Sequence, residues 1–276
     1  MAEPIKELDK KIESLKNWYR SEKGSIVAFS GGIDSSLVLY MARMVQGKEN
    51  AIGVISNSES LKTKDFELAL NFCEKYDIIL EVIRTEELAD ERYNENPINR
   101  CFYCKEHLYQ DIHVVLKKYP GFRILNGTNT DDFTDFRPGL KAADQYNIYS
   151  PLADCKITKD ELRQIARNYE LMNWDKPASP CLSSRIPYNH KITKQKLEQI
   201  EEAENILNGY GFNDVRVRHY GNYAKVEVKK EDMLRLLTIK EQLTEKIIQL
   251  GFQSCEIDAE GLVSGKLNRV INNPGK

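Results

Sequence analysis

The sequence predicts an α/β protein: a parallel sheet with helices on both faces in its N-terminal part, followed by a smaller α+β domain. Three observations carry this. From Ser25 to about Lys118, short β-branched runs alternate with stretches of helical character. The alternation stops at "DKPASPCLSSRIPYN", where Pro177, Pro180 and Pro187 punctuate the chain. Beyond them the runs follow one another as helix, strand, strand, helix and strand.

Taken in order, "MAEPIKELDKKIESLKNWYR" reads as a charged amphipathic helix without the apolar stretch of a signal peptide. "SIVAFS", "AIGVIS" and "IILEVI" are strands, with helices over "SLVLYMARMVQ" and "DFELALNFCEKY" between them and a further helix opening near Cys101. The polar segment from Arg84 to Arg100 reads as a loop over the sheet edge. "FRILNGTN" adds a strand, and "TKDELRQIARNYEL" adds a helix whose Thr158 and Glu161 are spaced as a capping box. After the prolines come a helix from about Thr193 to Leu207, strands at "DVRVRHY" and "AKVEVK" joined at Gly221-Asn222, a helix from about Glu231 to Leu250, and a strand at "SCEIDA". This order is that of a ferredoxin-like α+β domain. The boundary is set at residue 187, which makes the domains 1–187 and 188–276.

The composition narrows the function classes. The chain has 276 residues, 41% of them hydrophobic, enough for two modest cores. Lys and Arg number 40 against 42 Asp and Glu, so the net charge of -2 offers no general attraction to a phosphate backbone. Nucleic acid is therefore not an expected partner. No apolar run reaches the roughly 18 residues of a membrane span, and a cytoplasmic protein is expected. In a reducing compartment six cysteines point to burial, metal binding or catalysis and away from a disulfide scaffold.

The chemistry begins at "VAFSGGIDSS". Gly31 and Gly32 follow a buried strand and precede a helix, so the backbone turns tightly and presents successive N–H groups to an anion. The helix N-terminus adds its positive end, and Ser30, Ser35 and Ser36 add hydroxyl donors. A phosphate is the natural occupant, although a bare Gly-Gly turn also serves as a plain strand-to-helix connection. The Gly-Lys-Ser/Thr ending of a Walker A loop is absent.

In this context "SGGIDSS" resembles the PP-loop of the ATP pyrophosphatase superfamily, with an adenine nucleotide alpha hydrolase-like, Rossmann-like domain. The resemblance implies ATP cleavage between the α and β phosphates, adenylation of a substrate oxygen, and Mg²⁺ to neutralise the departing pyrophosphate. It also implies that Ser30, Gly31, Gly32, Asp34 and Ser35 contact the nucleotide. Ser56 and Asn57, in "VISNSES" at the end of the second strand, and Gly127, in "NGTNTDD", fall where such folds face the nucleotide. For Gly127, a glycine directly after a strand marks close backbone approach to a ligand.

"RCFYCKEH" places Cys101 and Cys104 at C-x-x-C spacing, and "SPCLSSR" supplies Cys181. Two thiolates at a helix start chelate a metal or form a redox pair. Structural zinc wants four ligands, which His107 could help complete. Three thiolates suit a 4Fe-4S cluster with one iron left open. Cys73, Cys155 and Cys255 read as buried or incidental thiols.

Together and in order, "SGGIDSSLV", "RCFYCK", "GTNTDDFTDFRPGLKA", "KPASPCLSSRIPYN" and "VRVRHYGNYAKVEV" closely resemble the LarE-type sulfur transferases that mature the nickel-pincer cofactor of lactate racemase. The likeness spans nearly the whole chain. It implies adenylation of a carboxylate of pyridinium-3,5-biscarboxylic acid mononucleotide and displacement of AMP by sulfur, leaving a thiocarboxylate. One branch of the family sacrifices a single cysteine; the other, with three cysteines, holds a 4Fe-4S cluster fed by sulfide or another sulfur donor. Cys101, Cys104 and Cys181 place this sequence in the cluster branch, with Cys181 as a donor in its own right if no cluster forms. The resemblance also implies a homo-oligomer.

Arg216 and Arg218 lie two apart on one face of a strand, where two guanidinium groups hold a phosphate jointly, or where they are simply solvated. Arg185 follows Ser183 and Ser184 near Cys181 and could meet them. The assignments are thus Cys181, Asp34, Ser35 and Arg216 for catalysis, and Ser184, Arg185, Glu204, Arg216 and Arg218 for the substrate. Glu204 comes from the resemblance alone, because its spacing is that of a helix-surface acid; Arg137 and Lys141 are further candidates to face an adenylated substrate. Three readings compete with the transferase: an iron–sulfur tRNA thiolase of the same superfamily, an amidating synthetase, and a non-catalytic nucleotide or iron–sulfur carrier.

Overall fold

A computed structural model describes residues 3–134, 137–263 and 265–269. Asp135 and Phe136, within "GTNTDDFTDFRPGLKA", and the final "NNPGK" lie outside them. The chain divides into two compact units: Met1–Glu87 with Cys101–Ser179, and Leu88–Arg100 with Pro180–Lys276.

In the first unit β1 (Ser25–Ala28), β2 (Ala51–Ser56), β3 (Ile79–Ile83) and β4 (Arg123–Leu125) form a parallel sheet of order β3-β2-β1-β4. α1 (Glu3–Arg20), α2 (Ile33–Gln46), α3 (Thr63–Lys75), α4 (Arg100–Leu116), α5 (Gly139–Gln145) and α6 (Lys159–Asn168) flank it. β1 is buried along its whole length, as a central parallel strand covered on both faces must be. Its residues alternate between two cores. Val27 packs with Leu37, Met41, Phe72 and Ile165, whereas Ile26 and Ala28 pack with Tyr109, Ile112 and Ala142. α6 carries the capping box expected from its sequence, Thr158 and Glu161 each satisfying the other's backbone amide.

In the second unit α7 (Lys194–Gly209) precedes β5 (Val215–His219) and β6 (Tyr223–Val228), an antiparallel pair, and β7 (Ser254–Ile257) joins β6 in parallel. The helix expected over 231–250 is two, α8 (Met233–Thr238) and α9 (Lys240–Gln249). Ile239 leaves helical geometry at ψ 6, following a threonine whose hydroxyl donates back to the Arg235 carbonyl at 2.7 Å. The two β-branched residues in succession disfavour continuation. Leu207, Phe212, Val217, Val226, Leu236 and Ile247 form the unit's core.

The stretch 84–100 is not the simple loop its polarity predicts. It contains a helical turn, Glu91–Asn94, capped by Asp90, and Asn94 Nδ2 donates to the Leu88 carbonyl at 3.0 Å. Asn96, fully buried in the left-handed region, brings its Nδ2 within 2.7 Å of the Pro187 carbonyl, and the Asn189 amide donates back to the Asn96 carbonyl at 2.8 Å. Among the described residues no helix is long and apolar enough to cross a membrane.

Candidate active site

The glycine loop leaves the C-terminal end of β1. The Phe29 amide still donates to the β2 carbonyl of Val54 at 2.8 Å; two residues later Gly31 adopts φ +68, a left-handed conformation that disfavours side chains. Gly32 is the N-cap of α2 and no side chain caps this helix. Helix N-terminal amides left without a side-chain cap are the groups that an anion satisfies. Within the bend the Ser30 amide donates to Ser35 Oγ at 3.2 Å, and Ser35 Oγ donates to the Gly32 carbonyl at 3.1 Å. Ser36 Oγ accepts from Asn173 Nδ2 at 2.8 Å and so faces the protein.

Two distant segments hold this loop. A Cβ built on Gly127 would lie 2.7 Å from the Ser35 nitrogen and 2.9 Å from the Asp34 carbonyl carbon. The close approach that its position predicts is therefore made to the glycine loop's own backbone. The second segment runs from Asn173 to Ser179. Asn173 Nδ2 and Lys176 Nζ donate to the Gly31 carbonyl at 3.1 and 3.2 Å. Lys176 also pairs with Asp65 at 2.9 Å, and Ser179 Oγ donates to the same carboxylate at 2.7 Å. Gly31 has no room for a side chain beneath this latch, since a Cβ there would lie 3.0 Å from the Asp65 carbonyl oxygen.

Asp34, one residue into the helix, is held by Lys159 Nζ at 2.6 and 2.5 Å and by Asn129 Nδ2 at 3.0 Å. Asn129 organises the "NGTNTDD" turn: its amide donates to Asp132 Oδ2 at 3.0 Å, and its side-chain oxygen accepts from the Asp131 amide at 3.0 Å. Burial first, and then the neighbouring charge of Asp34, push the Asp132 carboxyl up, against the Asn129 amide and the Arg137 guanidinium, which favour its anion. Arg137 pairs with Asp132 at 2.8 Å, and Lys141 is exposed on α5.

At the end of β2 the Asn57 amide donates to the Ile83 carbonyl at 2.9 Å. Ser56, Thr85, Glu87, Ser60 and Ser58 form a continuous hydroxyl and carboxylate chain.

Cys101 and Cys104 occupy the first turn of α4 in the first unit, one exposed and one half-buried. Cys181, half-buried in the second unit, precedes the 3-10 turn Leu182–Arg185. Among the described residues no three His, Cys, Asp or Glu side chains are gathered into a group able to hold a metal ion. At the other three thiols, burial pushes Cys73 up to about 12 and Cys255 up to about 11, and it raises Cys155 as well.

Two assigned side chains sit otherwise than spacing predicts. Glu204 is buried, not a surface acid: its Oε1 accepts from Arg185 Nε at 2.8 Å and from the Val217 amide at 3.2 Å. Arg185, 1% exposed, directs its other donors to the carbonyls of Pro180 and Cys181 at 2.6 and 3.1 Å and to Ser184 Oγ at 2.9 Å. It therefore shapes the cysteine-bearing turn. Arg218 is buried against Glu227 at 2.9 Å and donates to the Ser184 carbonyl at 2.7 Å, and among the described residues its buried Nε has no hydrogen-bond partner. Among the described residues the Arg216 side chain donates to the Val263 carbonyl at 3.4 Å. Burial and then the charges of Arg218 and Arg185 pull its pKa down, against the carboxylates of Glu227 and Glu204.

The sequence reading missed Asp65, Glu87, Asn129, Lys159, Asn173 and Lys176. The only local signal among them is Lys159 at the first position of a helix, where a cation opposes the helix dipole and needs another reason to be there.

A family model described as NAD synthase matches residues 5–98. The chain is 38% identical to an uncharacterised protein of Synechocystis sp. over 96% of this chain and 99% of that one. It is 31% identical to an uncharacterised protein of Methanocaldococcus jannaschii over 93% of this chain and 97% of that one. It is 32% identical to the pyridinium-3,5-bisthiocarboxylic acid mononucleotide synthase of Lactiplantibacillus plantarum over 89% of each chain. With a glycine loop at the end of a parallel strand, a small mixed sheet after it, and this relative matched over 89% of the chain, the chain belongs to the LarE-type family of PP-loop enzymes.

Proposed function

We propose that this protein is an ATP-dependent sulfur transferase that converts a carboxylate of pyridinium-3,5-biscarboxylic acid mononucleotide to a thiocarboxylate, for biosynthesis of the nickel-pincer nucleotide. The observation that carries the reading is the 32% identity to the synthase over 89% of this chain, a share larger than either unit alone. The carboxylate oxygen attacks the α phosphorus of ATP, pyrophosphate leaves, and a sulfur nucleophile then displaces AMP from the acyl carbon. Adenylation turns a poor leaving group into a good one.

The loop amides and the hydroxyls of Ser30 and Ser35 bind the departing pyrophosphate, and Lys159 supplies a cation beside Asp34. Asp34 and Asp132, whose charges interact, are the carboxylates that would hold Mg²⁺. Arg216 and Arg218 receive the substrate's phosphate, for which the unpartnered Arg218 Nε and the poorly paired Arg216 are suited. In this division of labour residues 1–187 handle ATP and residues 188–276 handle the substrate and self-association.

Cys101, Cys104 and Cys181 fit an iron–sulfur cluster in donor chemistry: all three are thiols, Cys101 is exposed, and Cys104 and Cys181 are half-buried. A 4Fe-4S cluster bound there would supply iron-held sulfide as the sulfur source.

The test is incubation with ATP and the biscarboxylate nucleotide, followed by pyrophosphate assay and mass analysis. Pyrophosphate, AMP and thiocarboxylate product are expected. Absence of substrate-dependent pyrophosphate overturns the reading and favours a non-catalytic carrier.

A further inference from the structure

Along β5 and β6 the valines turn into the core of the second unit, so the residues between them share the opposite face of the sheet. That face bears Arg216 and Arg218 on β5 and Glu227 on β6, which the register sets directly opposite Arg216. Glu227 is 1% exposed, and its Oε2 accepts from Arg218 at 2.9 Å. A guanidinium closed on a buried carboxylate is neutral as a pair and has little net attraction left for a second anion. A phosphate received at this strand therefore needs a further cation.

That cation comes from the 3-10 turn Lys266–Asn268. Gly261, at φ +75, turns the chain after β7, and a Cβ there would lie 2.8 Å from the Val228 carbonyl oxygen. The Leu262 amide donates to that same carbonyl at 2.8 Å, which docks the chain at the end of β6. Lys266 Nζ then stands 3.3 Å from Glu227 Oε1, the oxygen that Arg218 does not take. It also donates to Asp258 at 2.9 Å and to the Gly261 carbonyl at 2.7 Å. Glu260, 3.6 Å from Lys266, is closed by Arg269 at 2.6 and 2.8 Å. Burial opposes the charge on Lys266, but the carboxylates of Asp258 and Glu227 outweigh it and hold the pKa above the usual lysine value. Arg216, Arg218 and Lys266 thus stand against Glu227 and Asp258, with one positive charge in excess. Without Lys266 that excess is gone. Little water reaches Glu227, so these charges are screened less than those of a surface pair.

We propose that Lys266 is a positioning residue for the substrate's phosphate: by taking the second oxygen of Glu227, it leaves the arginine strand a net positive charge that a phosphate monoester occupies. This rests on the reading above that Arg216 and Arg218 receive the phosphate. Lys266 acts through Glu227 and Arg218. Its removal strands no buried charge, because Glu227 keeps Arg218 and Asp258 is partly exposed, so Lys266→Met is expected to fold.

The experiment is equilibrium titration of the full-length protein with pyridinium-3,5-biscarboxylic acid mononucleotide, with the same molecule lacking its phosphate, and with ATP. The unsubstituted protein should bind the mononucleotide more tightly than the dephosphorylated nucleoside. Lys266→Met should weaken mononucleotide binding about tenfold, the scale of one partly buried charge withdrawn, and leave the nucleoside and ATP unchanged. Lys266→Arg should keep the affinity. Glu227→Gln in the Lys266→Met background should recover most of the loss, because the carboxylate goes together with the cation that opposed it; a strap with only a structural role would show no such rescue. Mononucleotide binding unchanged by Lys266→Met overturns the inference, as does equal weakening of all three ligands or a folded double variant that recovers nothing. If the double variant does not fold, Lys266→Arg decides, since a loss equal to that of Lys266→Met overturns the inference too. Equal binding of mononucleotide and nucleoside by the unsubstituted protein overturns the assignment of the phosphate to Arg216 and Arg218, and this inference with it.

Discussion

Single residues set the shape and protonation of this molecule in ways that can be measured. Adding one methyl at Gly127 forces a carbon to within 2.7 Å of the Ser35 nitrogen, which backbone cannot tolerate, so the glycine loop must shift. Gly127→Ala should lower stability by about 1–3 kcal/mol and weaken ATP binding, read by denaturant unfolding and titration; unchanged ATP affinity would show that the loop does not rest on this residue. His219 is a second case. Burial pulls its pKa down to about 4, and because the Gly221 amide donates to Nδ1 at 3.2 Å, the proton resides on Nε2, facing the Gln199 side-chain oxygen at 3.1 Å. The unfolded chain binds a proton on this imidazole near pH 6.5 and the folded one does not until about pH 4, so stability falls as pH drops through that interval, by about 1.4 kcal/mol per unit. His219→Gln should flatten that part of the pH–stability curve. The loop residues were legible because they are contiguous and sit between a strand and a helix. Asp65, Asn129 and Lys176 were not, because each is a common polar residue whose role exists only through partners far away in the chain. Glu204 was readable in principle: it falls on the stripe Leu197, Ile200, Ala203 and Leu207 that α7 buries, and an acid on such a stripe requires a cation, here Arg185.

Elements were more legible than their ends. Alternating strand and helix runs predict the parallel sheet, and Thr158 with Glu161 predicts the start of α6, because both signals are local. The segment 84–100 was misread for a physical reason: Asn96 and its neighbours look solvated by composition, but their hydrogen bonds go to the backbone of 186–192. The stretch from Asn173 to Ser179 has no regular structure to announce it, yet it fastens the glycine loop to α3 through Asp65. Lys176→Met removes a partly buried ion pair and one of the two side-chain donors to the Gly31 carbonyl. It should cost about 1–3 kcal/mol and raise the ATP dissociation constant several-fold, with partial recovery in Lys176→Arg, which restores the charge without the same reach. A change in stability with no change in ATP affinity would make the segment a structural strap alone.

At the scale of the whole molecule, the near balance of 40 basic and 42 acidic residues confines any anion recognition to local clusters, of which the glycine loop and the Arg185, Arg216 and Arg218 group are two. Anaerobically reconstituted protein is expected to be brown with about four irons per chain, and alanine at Cys101, Cys104 or Cys181 to bleach it, while Cys73→Ala and Cys255→Ala keep the colour. Iron and acid-labile sulfide analysis decides this, and a colourless reconstituted protein removes the cluster. Gly127 carries one last implication, for engineering. The bend at 31–35 is the upper layer of a two-layer object whose lower layer comes from a remote part of the chain. Transplanting "SGGIDSS" into another strand-to-helix corner would carry over the donors and leave behind the slab that aims them, so a graft needs both layers to grip a phosphate.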